Sequence, residues 1–240
     1  MALTGEQIYD IEEVLKNSLR NKFQNYSPEP ASMPFHTRLL GKDRLALYSF
    51  IHSLSTNFGT SIFEPVALTL AKKRFKVAQS QFKLGEYISQ KAQIEIQQII
   101  NSLTTAESSP NKPEEIERIR NVCQKGEMQK LKATKVDIFL QDHEGKLYLI
   151  DIKTAKPNAG GFKEFKRTLL EWVAIILGLE PNTDVNTFIA IPYNPYDPQP
   201  YNRWTMRGMI DLEQELKVAE QFWDFLGGEN TSTPLLGCFE

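Results

Sequence analysis

The chain changes character at residues 135–153, which read KVDIFLQDHEGKLYLIDIK. Two short apolar runs in this stretch flank a polar segment that ends at Gly145. Apolar runs of this length, joined by a glycine-containing turn, predict a β-hairpin. Asp137 interrupts the first run and Asp151 the second. Because a carboxylate in a half-buried strand is unfavourable unless it is paired or binds a metal, these two residues need a partner.

The length of the turn decides whether the two carboxylates meet. If the hairpin closes with a three-residue loop, 143–145, Asp137 lies directly opposite Asp151, and the two Cβ atoms are about 4.5–5.5 Å apart. Lys153 is two residues beyond Asp151, so strand alternation places it on the same face. A register that differs by one residue would separate them. The expected register therefore brings two acids and one ammonium group together.

Such a cluster suits Mg²⁺, because this hard cation prefers oxygen ligands. We expect Asp137, Asp151 and the Ile152 carbonyl to be its ligands. The metal would activate a water and neutralise charge on a phosphoryl oxygen, while Lys153 orients that water or stabilises the transition state. This chemistry is phosphodiester hydrolysis. The alternative is that both aspartates flank the solvent end of the hairpin and form weak ion pairs with nearby lysines.

The first part of the chain, residues 1–105, is predicted to be mainly helical. Thr4 and Gln7 have the spacing of a capping box at the start of an amphipathic helix. Apolar residues then recur with helical periodicity, and another helix is expected from about Glu86 to about Leu103. We interpret this part as an N-terminal helical extension that belongs to the same domain as the hairpin.

The second part, residues 113–240, is predicted to have the order β-β-α-β-α. After the hairpin, we expect a helix at about 162–177, a strand at 187–191 and a final amphipathic helix near 211–225. The expected fold class is therefore a single α/β domain over residues 1–240, with a mixed central sheet and helices on both faces.

Composition excludes several classes of protein. Hydrophobic residues make up 41% of the chain, which is enough for a sizeable core. With 28 basic and 30 acidic residues the net charge is -2, so a DNA-binding site must be a local patch. No apolar run approaches the roughly 20 residues of a membrane span. Cys123 and Cys238 lie far apart, which favours a reducing cytoplasm.

The order Asp137, Asp151, Lys153 on consecutive strands before a helix resembles the PD-(D/E)XK nuclease motif, although Val136 stands in place of its proline. The resemblance implies a restriction-endonuclease-like core. It also implies a role for Glu64, since many of these nucleases carry a further glutamate on a helix before the strand pair. Ser61 and Glu64 also have the spacing of a capping box, in which the glutamate would only satisfy the helix start.

Longer segments, at residues 33–44, 58–67 and 220–228, are similar to the TdeIII-type restriction endonucleases. This resemblance implies a type II enzyme that uses Mg²⁺ to cut both strands of a short palindromic DNA site, of the GGNCC kind. It also implies a cognate DNA methyltransferase encoded separately. Because a palindrome has two-fold symmetry, we expect a homodimer with one active site per strand.

Two groups of residues are candidates for contact with DNA. One follows the catalytic strand and would track phosphates, although lysine-rich helix faces are also common as solvated surface. The other lies in a long loop at 192–208, where arginine suits guanine and asparagine suits adenine, but this loop could equally be a stiff surface excursion or a dimer contact. The first group is Lys156, Lys163, Lys166 and Arg167, and the second is Asn202, Arg203 and Arg207.

Two other functions remain open from the sequence. The same core would serve a structure-directed or DNA-repair nuclease. A protein of another class, which binds DNA and has lost catalysis, would also keep this fold. Incubation with plasmid DNA separates the three, because discrete fragments, cleavage of branched or damaged DNA only, and binding without products are different outcomes.

Overall fold

The computed structural model describes residues 3–27, 32–131, 135–153, 161–202 and 206–240. Helices come first in the chain, and groups of strands and helices follow from residue 77 onward. The strands are β1 (Val77–Lys83), β2 (Tyr87–Ser89), β3 (Met128–Lys130), β4 (Lys135–Gln141), β5 (Leu147–Ile152), β6 (Val185–Ile191) and β7 (Leu216–Val218).

A π-helical turn, Gly59–Phe63, joins the third and fourth helices. The first helix begins with the expected capping box, in which the Gln7 amide donates to the Thr4 side chain and the Gln7 side chain accepts from Thr4 N. The helices are α1 (Gly5–Asn25), α2 (Pro34–Leu40), α3 (Lys42–Phe58), α4 (Glu64–Ala71), α5 (Gln90–Thr104), α6 (Lys112–Arg120), α7 (Phe162–Leu179), α8 (Glu220–Gly227) and α9 (Ser232–Gly237).

The main sheet is mixed. Within the described ranges its five strands have the order β1-β4-β5-β6-β7, and β2 and β3 form a separate antiparallel pair. The β1, β4 and β5 neighbours are antiparallel, whereas β5, β6 and β7 run parallel. Because parallel neighbours need a long crossover, α7 connects β5 to β6 across one face of the sheet.

Helices cover both faces of the sheet and enclose two apolar cores. One core lies under α5, α6 and α7 and includes Val136 and Ile189. The other lies under α1, α4, α8 and α9 and includes Ile138, Ile150 and Phe188. This arrangement confirms the expected fold class, a mixed sheet flanked by helices. The predicted hairpin and the predicted helix after it, α7, are also confirmed.

Some predicted boundaries are wrong. The mainly helical first part also contains β1, which the sequence did not reveal because this edge strand exposes Gln79, Ser80 and Gln81 instead of alternating with apolar residues. The helix predicted from about Glu86 begins at Gln90 instead, since residues 87–89 form β2. The last predicted helix begins at Glu220 instead of near 211, because residues 216–218 extend the sheet as β7.

A buried ionic cluster lies between α6, α7 and the segment before β7. Lys166 of α7 is fully buried, and its ammonium group contacts Glu115 of α6 and lies 2.6 Å from Glu215 Oε2. Lys112 Nζ lies 2.9 Å from Glu215 Oε1 and donates to the Thr187 hydroxyl on β6. Two lysines and two glutamates therefore balance in charge and tie α6 and α7 to the segment before β7.

Lys166→Met is expected to lower the free energy of unfolding by about 3–5 kcal/mol, because it leaves Glu115 and Glu215 buried with one cation fewer. Urea unfolding measures the difference. The matched control is Lys163→Ala, one turn earlier on α7 and only half-buried, which should change stability by less than about 0.5 kcal/mol. Equal stability of Lys166→Met and wild type would contradict an ionic cluster that supports the fold.

Candidate active site

The hairpin has the predicted register. Ile138 pairs with Ile150 and Leu140 with Tyr148, and the turn closes through a hydrogen bond of 3.0 Å from Asp142 N to Lys146 O. The loop therefore has three residues, 143–145. Continued by one residue beyond the Ile138–Ile150 pair, toward the open end of the hairpin, the same register sets residue 137 opposite residue 151. The expected alignment of strands is confirmed.

Asp151 lies at the end of β5 and is only 8% exposed. The Lys153 ammonium group lies 2.9 Å from each of its carboxylate oxygens. Burial raises the pKa of Asp151 to about 6, against the opposing effect of Lys153, and the neighbouring Asp137 charge raises it further. Both aspartates lie at the end of the hairpin opposite the turn. The ion pair with a nearby lysine that the alternative predicts is present at Asp151, but the burial of Asp151 does not fit a carboxylate at a solvent end.

Asp137 lies on β4 and is half-buried. Its Oδ2 accepts a hydrogen bond of 2.8 Å from Ile152 N, which ties it to the end of β5. Its Oδ1 accepts a longer bond of 3.3 Å from the Gln81 side-chain amide on β1. The carboxylate is thus held in place from both neighbouring strands.

Glu64 is the first residue of α4 and is only 3% exposed. Its Oε2 accepts a hydrogen bond of 2.9 Å from Gln81 Nε2. Burial raises the pKa of Glu64 to about 7, with further contributions from the negative charges of Asp137 and Asp151. The structure therefore brings Glu64 near the two aspartates.

The alternative role of Glu64, as a helix-capping residue, is wrong. The Ser61 hydroxyl donates a bond of 2.6 Å to Asn57 O and so faces the preceding helix. The π-helical turn runs directly into α4, and no side chain caps the α4 start at Phe63. Because the backbone there is already helical, Glu64 does not need to serve as a capping group.

Lys153 lies against an aromatic ring that the sequence did not point to. Its ammonium nitrogen lies 4.8 Å from the centre of the Phe165 ring on the first turn of α7. A Cβ atom on Gly161 would lie 2.9 Å from Phe165 Cζ, so a larger residue at this position would require the ring to shift. Nothing in the helical spacing of Phe165 distinguishes it from a core residue, and Gln81 has no motif of its own.

The donor set fits a magnesium ion. Asp137, Asp151 and the Ile152 carbonyl would supply oxygen ligands of the kind that Mg²⁺ prefers. Burial is the main cause of the raised pKa values of Asp151 and Glu64, and the charge of Asp137 raises both further, whereas Lys153 opposes the shift at Asp151 and Lys135 opposes that at Glu64. Among the residues that the structure describes, no three His, Cys, Asp or Glu side chains are arranged to hold a metal ion. The fit therefore relies on the two aspartates and a backbone carbonyl, with Glu64 one side chain further away.

The structure divides the residues expected to contact DNA. The predicted DNA contact of Lys166 is wrong. Its side chain is fully buried and paired with Glu115 and Glu215, so it cannot reach a phosphate. Lys163 is half-buried. Arg167 is also half-buried and donates a bond of 2.7 Å to Gln97 Oε1. Of the other residues predicted to contact DNA, Asn202 and Arg207 are exposed in the segment after β6. Lys156 and Arg203 lie outside the described residues.

No helix among the described residues is long and apolar enough to cross a membrane.

Over nearly its whole length the chain is similar to restriction enzymes. The family described as "Type II restriction endonuclease, HinfI" matches residues 3–240. Type II restriction enzyme MjaII of Methanocaldococcus jannaschii is 31% identical over an alignment that covers 91% of this chain but 65% of MjaII. Type II restriction enzyme HgiBI of Herpetosiphon aurantiacus is 26% identical, over 92% of this chain and 83% of HgiBI. These matches confirm the expected resemblance to type II restriction endonucleases.

Without metal, Glu64 and Asp151 make stability fall as the pH rises. Their folded-state pKa values lie above their ordinary values, so the folded protein holds protons that the unfolded chain releases between about pH 4 and pH 7. Glu64→Gln removes this penalty for one group. In EDTA at pH 8 we expect this variant to be about 1–3 kcal/mol more stable than wild type in urea unfolding, and the difference to shrink at pH 5.

The control for this measurement is Glu144→Gln, an exposed acid in the hairpin turn, which should leave stability unchanged at both pH values. A Glu64→Gln variant that is less stable than wild type at pH 8 would show that the Glu64 charge is not penalised in the folded protein.

Proposed function

The chain belongs to the HinfI family of type II restriction endonucleases, and on that basis we propose that it hydrolyses phosphodiester bonds in double-stranded DNA at a short palindromic site, with Mg²⁺ as cofactor. The observation that carries this proposal is the meeting of Asp137, Asp151 and Lys153 at the open end of one hairpin. Two carboxylates and one ammonium group at a strand end are the groups that metal-assisted phosphodiester hydrolysis requires.

Each residue has a proposed role. Asp137, Asp151 and the Ile152 carbonyl hold the metal, which when bound supplies positive charge beside the scissile phosphate. Lys153, fixed between Asp151 and the Phe165 ring, orients the attacking water and stabilises negative charge that develops on the phosphoryl oxygens. Glu64, with a pKa of about 7, accepts the proton of that water near neutral pH.

The contacts with DNA are proposed on both sides of this site. Lys163 and Arg167, on the first turns of α7, would face the phosphate backbone. Asn202 and Arg207, exposed in the segment that follows β6, would read base edges. The segment begins at the same edge of the sheet as the active site, because β5 and β6 are parallel and both end there. Lys156 and Arg203 keep their expected roles as part of this proposal.

A homodimer is proposed because a palindrome presents two scissile bonds related by two-fold symmetry. The surface of α2 and α3 supports it, since neither helix has a buried residue. Phe35, Leu39, Leu47 and Ile51 there are each at least half exposed, which is unusual for a monomer. We also propose that the recognised site is GGNCC-like and that a separately encoded methyltransferase protects it. The enzyme would act in the cytoplasm.

Asp137→Ala and Lys153→Ala are expected to lower cleavage by at least about a hundredfold, because each removes a group that touches the metal or the attacking water. Wild type with plasmid and Mg²⁺ should give discrete fragments on a gel. Both variants should still shift a duplex in a mobility assay with Ca²⁺. Glu144→Gln, in the turn of the same hairpin, serves as the active control.

Three outcomes of this assay contradict the proposal. Full cutting by either variant would remove the proposed site. Wild-type cleavage of branched or damaged DNA alone would favour a repair nuclease, and wild-type binding without any product would favour a DNA-binding protein without catalysis.

Sedimentation velocity at micromolar concentration, with duplex present, is expected to show two chains per complex. Leu39→Glu combined with Leu47→Glu should shift the free protein to a monomer, because it places charges in the proposed interface. Leu179→Glu, at an equally exposed position at the end of α7, should leave the dimer intact. A wild-type monomer on DNA would contradict the dimer.

A further inference from the structure

We propose that Gln81 is a positioning residue for the metal site: its side-chain amide bridges the Glu64 and Asp137 carboxylates, so it orients Asp137 as a metal ligand and holds Glu64 beside the site. This inference rests on the proposed nuclease function. Gln81 lies on the edge strand β1, which pairs with β4 but is not part of the hairpin that carries the aspartates, and it is not part of the catalytic motif in the sequence.

The geometry of the bridge is specific. Gln81 Nε2 lies 2.9 Å from Glu64 Oε2 and 3.3 Å from Asp137 Oδ1. A side-chain amide nitrogen has two N–H donors, so it can give one to each carboxylate. The opposite orientation of the amide would place its carbonyl oxygen against two negatively charged acceptors. Only the nitrogen end therefore satisfies both groups.

The bridge is electrically neutral, and this matters for a metal site. A lysine or arginine at position 81 would also bind both carboxylates, but its charge would compete with the cation for them. An amide separates the two carboxylates without cancelling their negative potential. Lys153 already supplies one positive charge at Asp151, on the other side of the cluster.

The backbone at Gln81 supports a functional role. Its φ is +50°, in the left-handed region that a residue with a side chain rarely adopts within a strand. The β1–β4 register, in which Ser80 pairs with Ile138 and Phe82 with Val136, places Gln81 opposite Asp137. Such backbone strain persists where the surrounding structure requires it, and it is concentrated at functional sites.

The strands also change faces at this point. Ala78 packs against the core under α4, but Phe82, four residues later on the same strand, packs against the core under α7. Regular alternation would put both on one face. On β4, Ile138 packs in the core under α4 and Val136, two residues earlier, packs in the core under α7. Gln81 and Asp137 lie where this change occurs, so the Gln81 side chain can meet Glu64, which comes from the α4 layer.

Gln81 is exposed, so it contributes little to packing and its loss should not unfold the protein. The test variant is Gln81→Met. Methionine has a similar length and the same strain at a positive φ, but it lacks the two N–H donors of the amide. The control is Gln79→Met, an exposed glutamine on the same strand. The readout is Mg²⁺ binding to the DNA-free protein by calorimetry, supplemented by the Mg²⁺ dependence of cleavage.

We expect Gln81→Met to weaken Mg²⁺ binding about tenfold, as is typical when a residue that orients a metal ligand is lost. The Mg²⁺ concentration for half-maximal cleavage should rise by the same factor, and saturating Mg²⁺ should restore most of the rate. Gln79→Met should bind Mg²⁺ like wild type. Both variants should have similar midpoints of thermal unfolding in EDTA.

Gln81→Gly separates the side chain from the backbone, because glycine adopts a positive φ without strain. It should lose Mg²⁺ affinity as Gln81→Met does and unfold at a higher temperature than Gln81→Met. Wild-type affinity in either variant, or a wild type that binds no Mg²⁺, overturns the role of Gln81. If wild type binds Mg²⁺ and cuts no DNA while Gln81→Met binds tenfold more weakly, the role of Gln81 stands and the proposed function fails.

Discussion

The register of the β4–β5 hairpin is the constraint on which the site depends. A slip of one residue would turn Asp137 to the other face, away from Asp151 and Lys153. The three-residue turn fixes the register at one end, and the bond from Ile152 N to Asp137 Oδ2 holds it at the other. Folding thus forces like charges together in a partly buried place, and a bound cation would relieve that repulsion.

Two supports outside the hairpin keep the cluster in shape, one on each face of the sheet. On one face, the buried cluster around Lys166 fixes α7, and the residue before it, Phe165, lies over the Lys153 ammonium group. On the other face, α4 brings Glu64 to the edge of the sheet, where Gln81 ties it to Asp137. The residue that packs against Lys153 and the residue that anchors α7 in the buried cluster are therefore neighbours in the chain.

Local patterns in the sequence were enough to predict the hairpin, its register, α7 and the meeting of Asp137 with Asp151, because turn length and strand alternation determine them. Long-range pairing was not predictable. Lys166 looked like a surface lysine because its partners, Glu115 and Glu215, are 51 and 49 residues away. Strand β1 lacks apolar alternation because it is an edge strand, so neither it nor the bridge made by Gln81 left a local signal.

The most direct test of this account is anomalous diffraction from crystals of the wild-type protein soaked in Mn²⁺. The account predicts one strong peak between the Asp137 and Asp151 carboxylates, within coordination distance of both and of the Ile152 carbonyl oxygen. A peak at a different group of residues, or none at this site with the two carboxylates pointing apart, would contradict it.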